Sequence, residues 1–263
     1  MPSPVALAIN DLRNGTMQRW TWSMMAMQDI RMRYRGSILG PFWGTLTTLV
    51  MVASMGFVYA LIFAMDISVY LPFLTFGLLP WQYIGGVINE GCQSFIAAQP
   101  ILYQTRMPLT VHIVRVVYRN LLVLAHNIPI VIGIAIVFHV PWGWTTLMVF
   151  PALALLVIAS IAVSFVLGMV SARFRDVPLI ISNIMQLLFF LTPIIWQPEL
   201  LRDYRIIADA NPLYAAVDLM RAPLLGQAPS PWSWPVALIT TACLCVLSFG
   251  LFTKFRRRIV YWV

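Results

Sequence analysis

WTTLMVFPALALLVIASIAVSFVLGMVSARFRDVP, residues 144–178, decides the class of fold. No charged side chain occurs in it before Arg173. A helix needs roughly 20 apolar residues to cross a hydrocarbon layer of about 30 Å, and this run exceeds that length. Its apolar residues are continuous rather than alternating, which fits a helix and not a barrel strand. In lipid, a helix satisfies its own backbone polar groups, so the run can cross the bilayer alone.

Similar runs recur along the chain and predict six spans, at about 38–65, 72–98, 109–138, 144–171, 179–196 and 232–253. Pro41 lies near the start of the first, where a missing N–H costs little. Pro80, Gly85 and Gly86 predict a bend in the second. The 263 residues are 60% hydrophobic and only 10% charged, against about a quarter charged in soluble domains. No repeat, low-complexity tract or linker divides them, so 1–263 reads as one all-α integral membrane domain. The first 37 residues hold five arginines and no clean apolar stretch, which does not fit a cleaved leader.

Within that region, residues 16–35 read as an amphipathic helix at the membrane surface. Met17, Trp20, Met24 and Met27 follow helical spacing, and Gln18, Arg19, Gln28, Asp29, Arg31, Arg33 and Arg35 supply the polar surface. With the N-terminus inside, 14 of the 17 basic residues fall on the cytoplasmic side, leaving Arg202, Arg205 and Arg221 outside. The positive-inside rule therefore places both termini in the cytoplasm. The formal charge of +8 reports this orientation and does not point to nucleic acid. Cys92, Cys243 and Cys245 lie in apolar spans without neighbouring ligands and read as packing residues.

The chain has no Gly-rich phosphate loop, and its only lysine is Lys254, in the basic tail. His112, His126 and His139 are scattered along one span and its end. Glu199, Asp203, Asp209 and Asp218 interleave with Arg202 and Arg205 as a solvated face. No catalytic or metal-ligating set emerges. Glu90 is the sole acid well within a span, and an intramembrane carboxylate is costly. It is open whether it is paired, protonated, facing a wet cavity, or bonded to a neighbouring helix with Asn89 as helper. Arg115 and Arg119 share one helix face near the cytoplasmic end of the third span. They either snorkel to the headgroups or bind a lipid phosphate.

Trp43, Tyr59, Trp81, Tyr83, Phe189, Phe190 and Trp196 are candidates for an aromatic-lined passage, set against interface belt and packing. Residues 197–231 read as two short amphipathic helices broken at Asn211 and Pro212, each too short to span. They either dip into the outer leaflet as a cap or form a folded external loop.

Six motifs in order then carry a resemblance: DIRMRYRGSILGPFWGTL at 29–46, FGLLPWQYIGG at 76–86, PILYQTRMP at 100–108, ARFRDV at 172–177, Thr192-Pro193-Ile194, and Asn211-Pro212-Leu213 with Arg221. Together they resemble, nearly end to end, the transmembrane subunit of ABC-2 polysaccharide exporters, especially the O-antigen type. That resemblance implies a homodimer with two copies of a separate ATPase subunit, which would hold ATP and Mg while this chain holds no cofactor. Gln99, Ile101, Leu102, Tyr103, Gln104 and Arg106 would form the coupling helix that meets the ATPase. Residues 197–231, with Asn211, Pro212 and Arg221, would be the outer gate of re-entrant helices between spans five and six. The cargo would be a polysaccharide on a polyprenyl diphosphate in the bacterial inner membrane, with Arg31, Arg33, Arg35, Arg115 and Arg119 as candidates for the diphosphate. Export of teichoic acid or another amphiphile is the alternative, and a membrane-embedded glycosyl- or acyltransferase a third reading.

Overall fold

The computed structural model describes residues 3–263, which form helices and connecting turns with no strand among the described residues. Two helices open the chain, α1 (Pro4–Met17) and α2 (Arg19–Arg33). Ser3 caps α1 by accepting the Ala6 amide at 3.1 Å, and Pro4 occupies the first turn, where no N–H is needed. The single helix expected over 16–35 is instead broken at Gln18, whose ψ of 54° turns the chain. The Trp22 indole bridges the break by donating to the Thr16 carbonyl at 3.3 Å. In α2, Ala26 and Ile30 are buried and Trp20, Met24 and Met27 are exposed, as is Met17 at the end of α1.

Among the described residues, five helical segments are long and apolar enough to cross a membrane. They are α3 (Phe42–Ile62), α4 (Ile67–Gln93), α6 (Leu109–His126) continued by α7 (Ile128–Val137), α8 (Val149–Arg173) entered through a 3₁₀ turn, and α12 (Ser233–Phe255). Between α4 and α6 lies the short α5 (Gln99–Gln104). The second span starts earlier than its hydropathy suggests. Asp66 accepts the Ser68 amide at 2.8 Å and caps α4, so the residues between the first two predicted spans are mostly its first turn. The third span divides at Asn127, just before Pro129, and the Thr45 hydroxyl donates to the His126 carbonyl at 3.0 Å at that break.

The fifth expected span is shorter than predicted. Helix α9 (Val177–Leu191) has 15 residues, about 22 Å of rise, which falls short of a bilayer. Thr192 precedes Pro193 and turns to extended backbone, as the proline ring demands of its neighbour. Residues 192–196 continue without helical bonds, and side chains hold their carbonyls. Tyr70 donates to Ile195 at 2.7 Å and Arg221 to Pro193 at 2.8 Å. After a 3₁₀ segment at Pro198–Tyr204 come α10 (Arg205–Asp209) and α11 (Pro212–Leu224). The chain closes with a 3₁₀ turn (Arg256–Arg258) and α13 (Ile259–Trp262).

Helix α4 is the axis of the subunit, buried over most of its length by α3, α6, α8, α9 and α11. Helix association in lipid rests on close packing rather than on water exclusion, which favours small residues at contacts. At Gly91 a Cβ would stand 2.9 Å from the Ser164 hydroxyl and 3.2 Å from its Cα. Gly91→Val is therefore expected to push α4 from α8 and cost about 2 kcal/mol in reversible unfolding in detergent. Unchanged stability would show that the two helices can move apart freely.

Candidate functional site

The end of the chain where α1, the start of α6 and the C-terminal segment meet is built around α5. Pro100 enters its first turn, and Leu102 points inward with Phe95, Ala98, Leu109 and Ile113. Tyr103, Gln104 and Arg106 are exposed, and Gln99 and Ile101 are half-buried. The helix predicted to meet a partner thus exists and presents a polar face. It is also fastened, since the Tyr103 hydroxyl donates to the Val263 carbonyl at 2.6 Å.

A buried carboxylate that sequence reading passed over fixes the neighbouring start of α6. Asp11 accepts the Leu109 and Thr110 amides at 3.2 and 3.1 Å and the Thr110 hydroxyl at 2.8 Å. Arg256 pairs with it at 2.7 Å. A carboxylate on free amides at a helix start satisfies donors that have no intrahelical partner and complements the helix dipole. One side chain thereby ties α1, α6 and the C-terminal segment together.

A second cluster joins α2 to α4 and α6. Asp29 on α2 accepts from Arg115 on both oxygens and from Arg119 at 2.5 Å. Glu90 accepts from Arg119 at 2.7 Å, Arg33 at 2.6 Å and the Asn120 amide at 2.7 Å. Burial alone would raise the Asp29 pKa, but the guanidiniums of Arg115 and Arg119 outweigh it and hold the carboxyl below its ordinary range. Glu90 is therefore paired, and its amide helper is Asn120, because Asn89 turns back to the Gly85 carbonyl. Of the five arginines considered for a diphosphate, Arg33, Arg115 and Arg119 are engaged by these carboxylates. Arg31 and Arg35 are exposed and take part in none of the ion pairs among the described residues.

The aromatic candidates divide by burial. Trp81 and Tyr83 lie inside the subunit's own core. Phe189 packs on Trp81 with ring centres 5.9 Å apart, Tyr59 stacks on Phe63, and the Trp196 indole donates to the Phe190 carbonyl at 3.0 Å. Trp43 and Phe190 expose their rings.

At the opposite end, motif residues far apart in the chain meet. Asn211 caps α11 by accepting the Leu213 and Tyr214 amides, and its own amide donates to the Thr192 hydroxyl at 3.2 Å. Pro212 supplies the first helical position. Arg221, 3% exposed, lies 4.2 Å from the Phe73 ring centre. It passes Gly77, where a Cβ would stand 3.3 Å from its Nη1. Asp218, expected on a solvated face, is buried and accepts from the Ser230 amide at 2.8 Å and the Ser233 hydroxyl at 2.6 Å. These two bonds fasten α11 to the start of α12. Arg221→Lys keeps a cation over Phe73 but loses the fork, and is expected to cost about 1.5 kcal/mol in thermal unfolding. An unshifted midpoint would show that the bond to Pro193 contributes nothing.

Residues 21–225 match the profile described as ABC-2 type transporter. The chain belongs to the ABC-2 type transporter family. It is 25% identical over 233 residues to the O-antigen export system permease protein RfbA of Klebsiella pneumoniae, covering 88% of this chain and 90% of that one. It is 28% identical over 185 residues to the protein of the same name from Myxococcus xanthus, covering 68% and 69%. The ABC-2 match runs from α2 to the end of α11 and so takes in α5, both carboxylates of the Asp29–Glu90 cluster and the Arg221 contact.

Proposed function

We propose that this ABC-2 chain is the membrane-spanning subunit of an ATP-driven exporter of lipid-linked polysaccharide, such as O-antigen on a polyprenyl diphosphate, across the bacterial inner membrane. The observation that carries the reading is the similarity to O-antigen export permeases along 88% of the chain. Two copies would form the passage, and two copies of a separate ATPase subunit, holding ATP and Mg, would dock on α5 through Tyr103, Gln104 and Arg106. Helix α9 with the non-helical residues 192–196 would complete a sixth crossing, which keeps both termini in the cytoplasm, as the arginine distribution requires. Arg31 and Arg35, exposed at the end of α2, would meet the diphosphate, and Trp43 and Phe190 would offer faces to the sugars.

Co-expression with a candidate ATPase subunit from the same genome, followed by reconstitution, tests this. Lipid-linked glycan is expected to stimulate hydrolysis in the complex, and Tyr103→Ala with Arg106→Ala to weaken assembly. An ATPase that co-purifies but responds to teichoic acid or a small amphiphile instead would reassign the cargo. Failure to co-purify at all would sink the reading.

A further inference from the structure

A groove of about 450 Å³ opens at the cytoplasmic end of α8, away from α2 and the Asp29–Glu90 cluster. Met169 and Leu251 form its apolar depth, Phe255 and Trp262 one wall, and Arg173 and Arg258 its mouth. The two aromatic rings pack with centres 5.5 Å apart, and the Arg173 guanidinium lies 5.8 Å from the Trp262 ring. That ring holds the guanidinium by its negative face without neutralising it. Neither Arg173 nor Arg258 takes part in any ion pair among the described residues. Arg33, Arg115 and Arg119, at the other cytoplasmic cluster, are each matched by a carboxylate.

We propose that this groove is a binding site for an anionic phospholipid of the inner leaflet. Two uncompensated guanidiniums at the ends of two spans sit where lipid phosphates lie, and the apolar depth below them suits an acyl chain. A soluble anion would use only the mouth, and a neutral lipid only the depth. The wall bears on the rest of the molecule. Trp262 immediately precedes Val263, whose carbonyl accepts the Tyr103 hydroxyl of α5. A lipid seated against Trp262 therefore steadies the C-terminal segment against the helix proposed to meet the ATPase.

The purified chain in phosphatidylcholine nanodiscs, titrated with phosphatidylglycerol and read by native mass spectrometry, tests the site. Arg173→Gln with Arg258→Gln is expected to lower retained phosphatidylglycerol at least ten-fold and leave phosphatidylcholine unchanged. Arg13→Gln with Arg19→Gln, which removes the same charge from exposed positions on α1 and α2, should behave as the parent. Leu251→Trp keeps both arginines, fills the depth, and should also lose the lipid. Thermal unfolding near the parent's in each variant shows that the fold survives. Equal losses in both arginine pairs would mean a diffuse field and overturn the site. So would retention by the Arg173/Arg258 variant, or displacement of the lipid by glycerol phosphate at equal concentration. Lipid retained while the ATPase subunit no longer co-purifies would give the surface to a protein partner and equally overturn the proposal.

Discussion

Asp11→Ala is expected to destabilise the subunit by about 3 kcal/mol, because it leaves two buried helix-start amides without an acceptor and a half-buried arginine without its carboxylate. The side chain of Asp11 is fully enclosed, and Arg256, its partner, is 28% exposed. Water can reach Arg256 after the change but has no route to the amides of Leu109 and Thr110. The loss should therefore concentrate at the start of α6 and the adjoining α5. Asp11→Asn keeps one acceptor for an amide while surrendering the charge, so about half the loss is expected. Reversible unfolding in detergent measures both, and limited trypsin digestion at Arg13 and Arg106 reports where the structure loosens. An Asp11→Ala chain within about 1 kcal/mol of the parent would show that the three segments hold together by apolar packing alone.

Glu90→Gln carries the second large effect, about 3 kcal/mol. Arg119 is 14% exposed and stays behind with only Asp29, which Arg115 already occupies. Arg33 is 48% exposed and can turn to water, so Arg33→Gln should cost less than about 1 kcal/mol. A combined variant separates the two, since the cost of Glu90→Gln should hardly change once Arg33 is gone. Equal effects of the single changes would mean that Arg33, not Arg119, is the partner that matters. The pH dependence follows from Asp29. Its folded carboxyl titrates below the ordinary value of about 3.9, so its contribution is fully present above that pH. It fades only as pH falls through the lower, folded value. Detachment of α2, followed by the fluorescence of Trp22 against Tyr118, should accordingly begin below about pH 4 and not near neutrality; their rings lie 4.9 Å apart in the folded chain.

The membrane helices were legible because hydrophobic length is a property of contiguous residues. What hydropathy could not see was where a backbone carbonyl finds a side chain. The end of α9 and the break at Asn127 both occur within apolar sequence, yet Pro193 and Pro129 mark them. Glu90 stood out because a lone acid in a span demands a partner, but the identity of that partner was not readable. Arg119 lies 29 positions away, and Asp29, which completes the cluster, lies 90 from Arg119. Arg115 and Arg119 were rightly placed on one face, and what that face meets is a helix separated from them by three other elements. Asp11 gave no signal at all, since its donors come from positions 98 and 245 residues onward. The break at Asn211 and Pro212 followed from local rules, whereas the cap that Asn211 forms and the burial of Asp218 and Arg221 emerged only in the fold, with Gly77, Phe73 and Ser233 gathering around the last two.

The non-helical turn at 192–196 joins two helices. Its carbonyls at Pro193 and Ile195 are each bonded by a side chain from a different helix, Arg221 of α11 and Tyr70 of α4. Moving α11 away would bare the Pro193 oxygen and moving α4 away would bare the Ile195 oxygen, each at the cost of an unmade hydrogen bond. The short turn is thus a shared clasp that holds helices from distant parts of the chain to one segment. A change at Arg221 or at Tyr70 loosens a junction of three elements rather than a single pair.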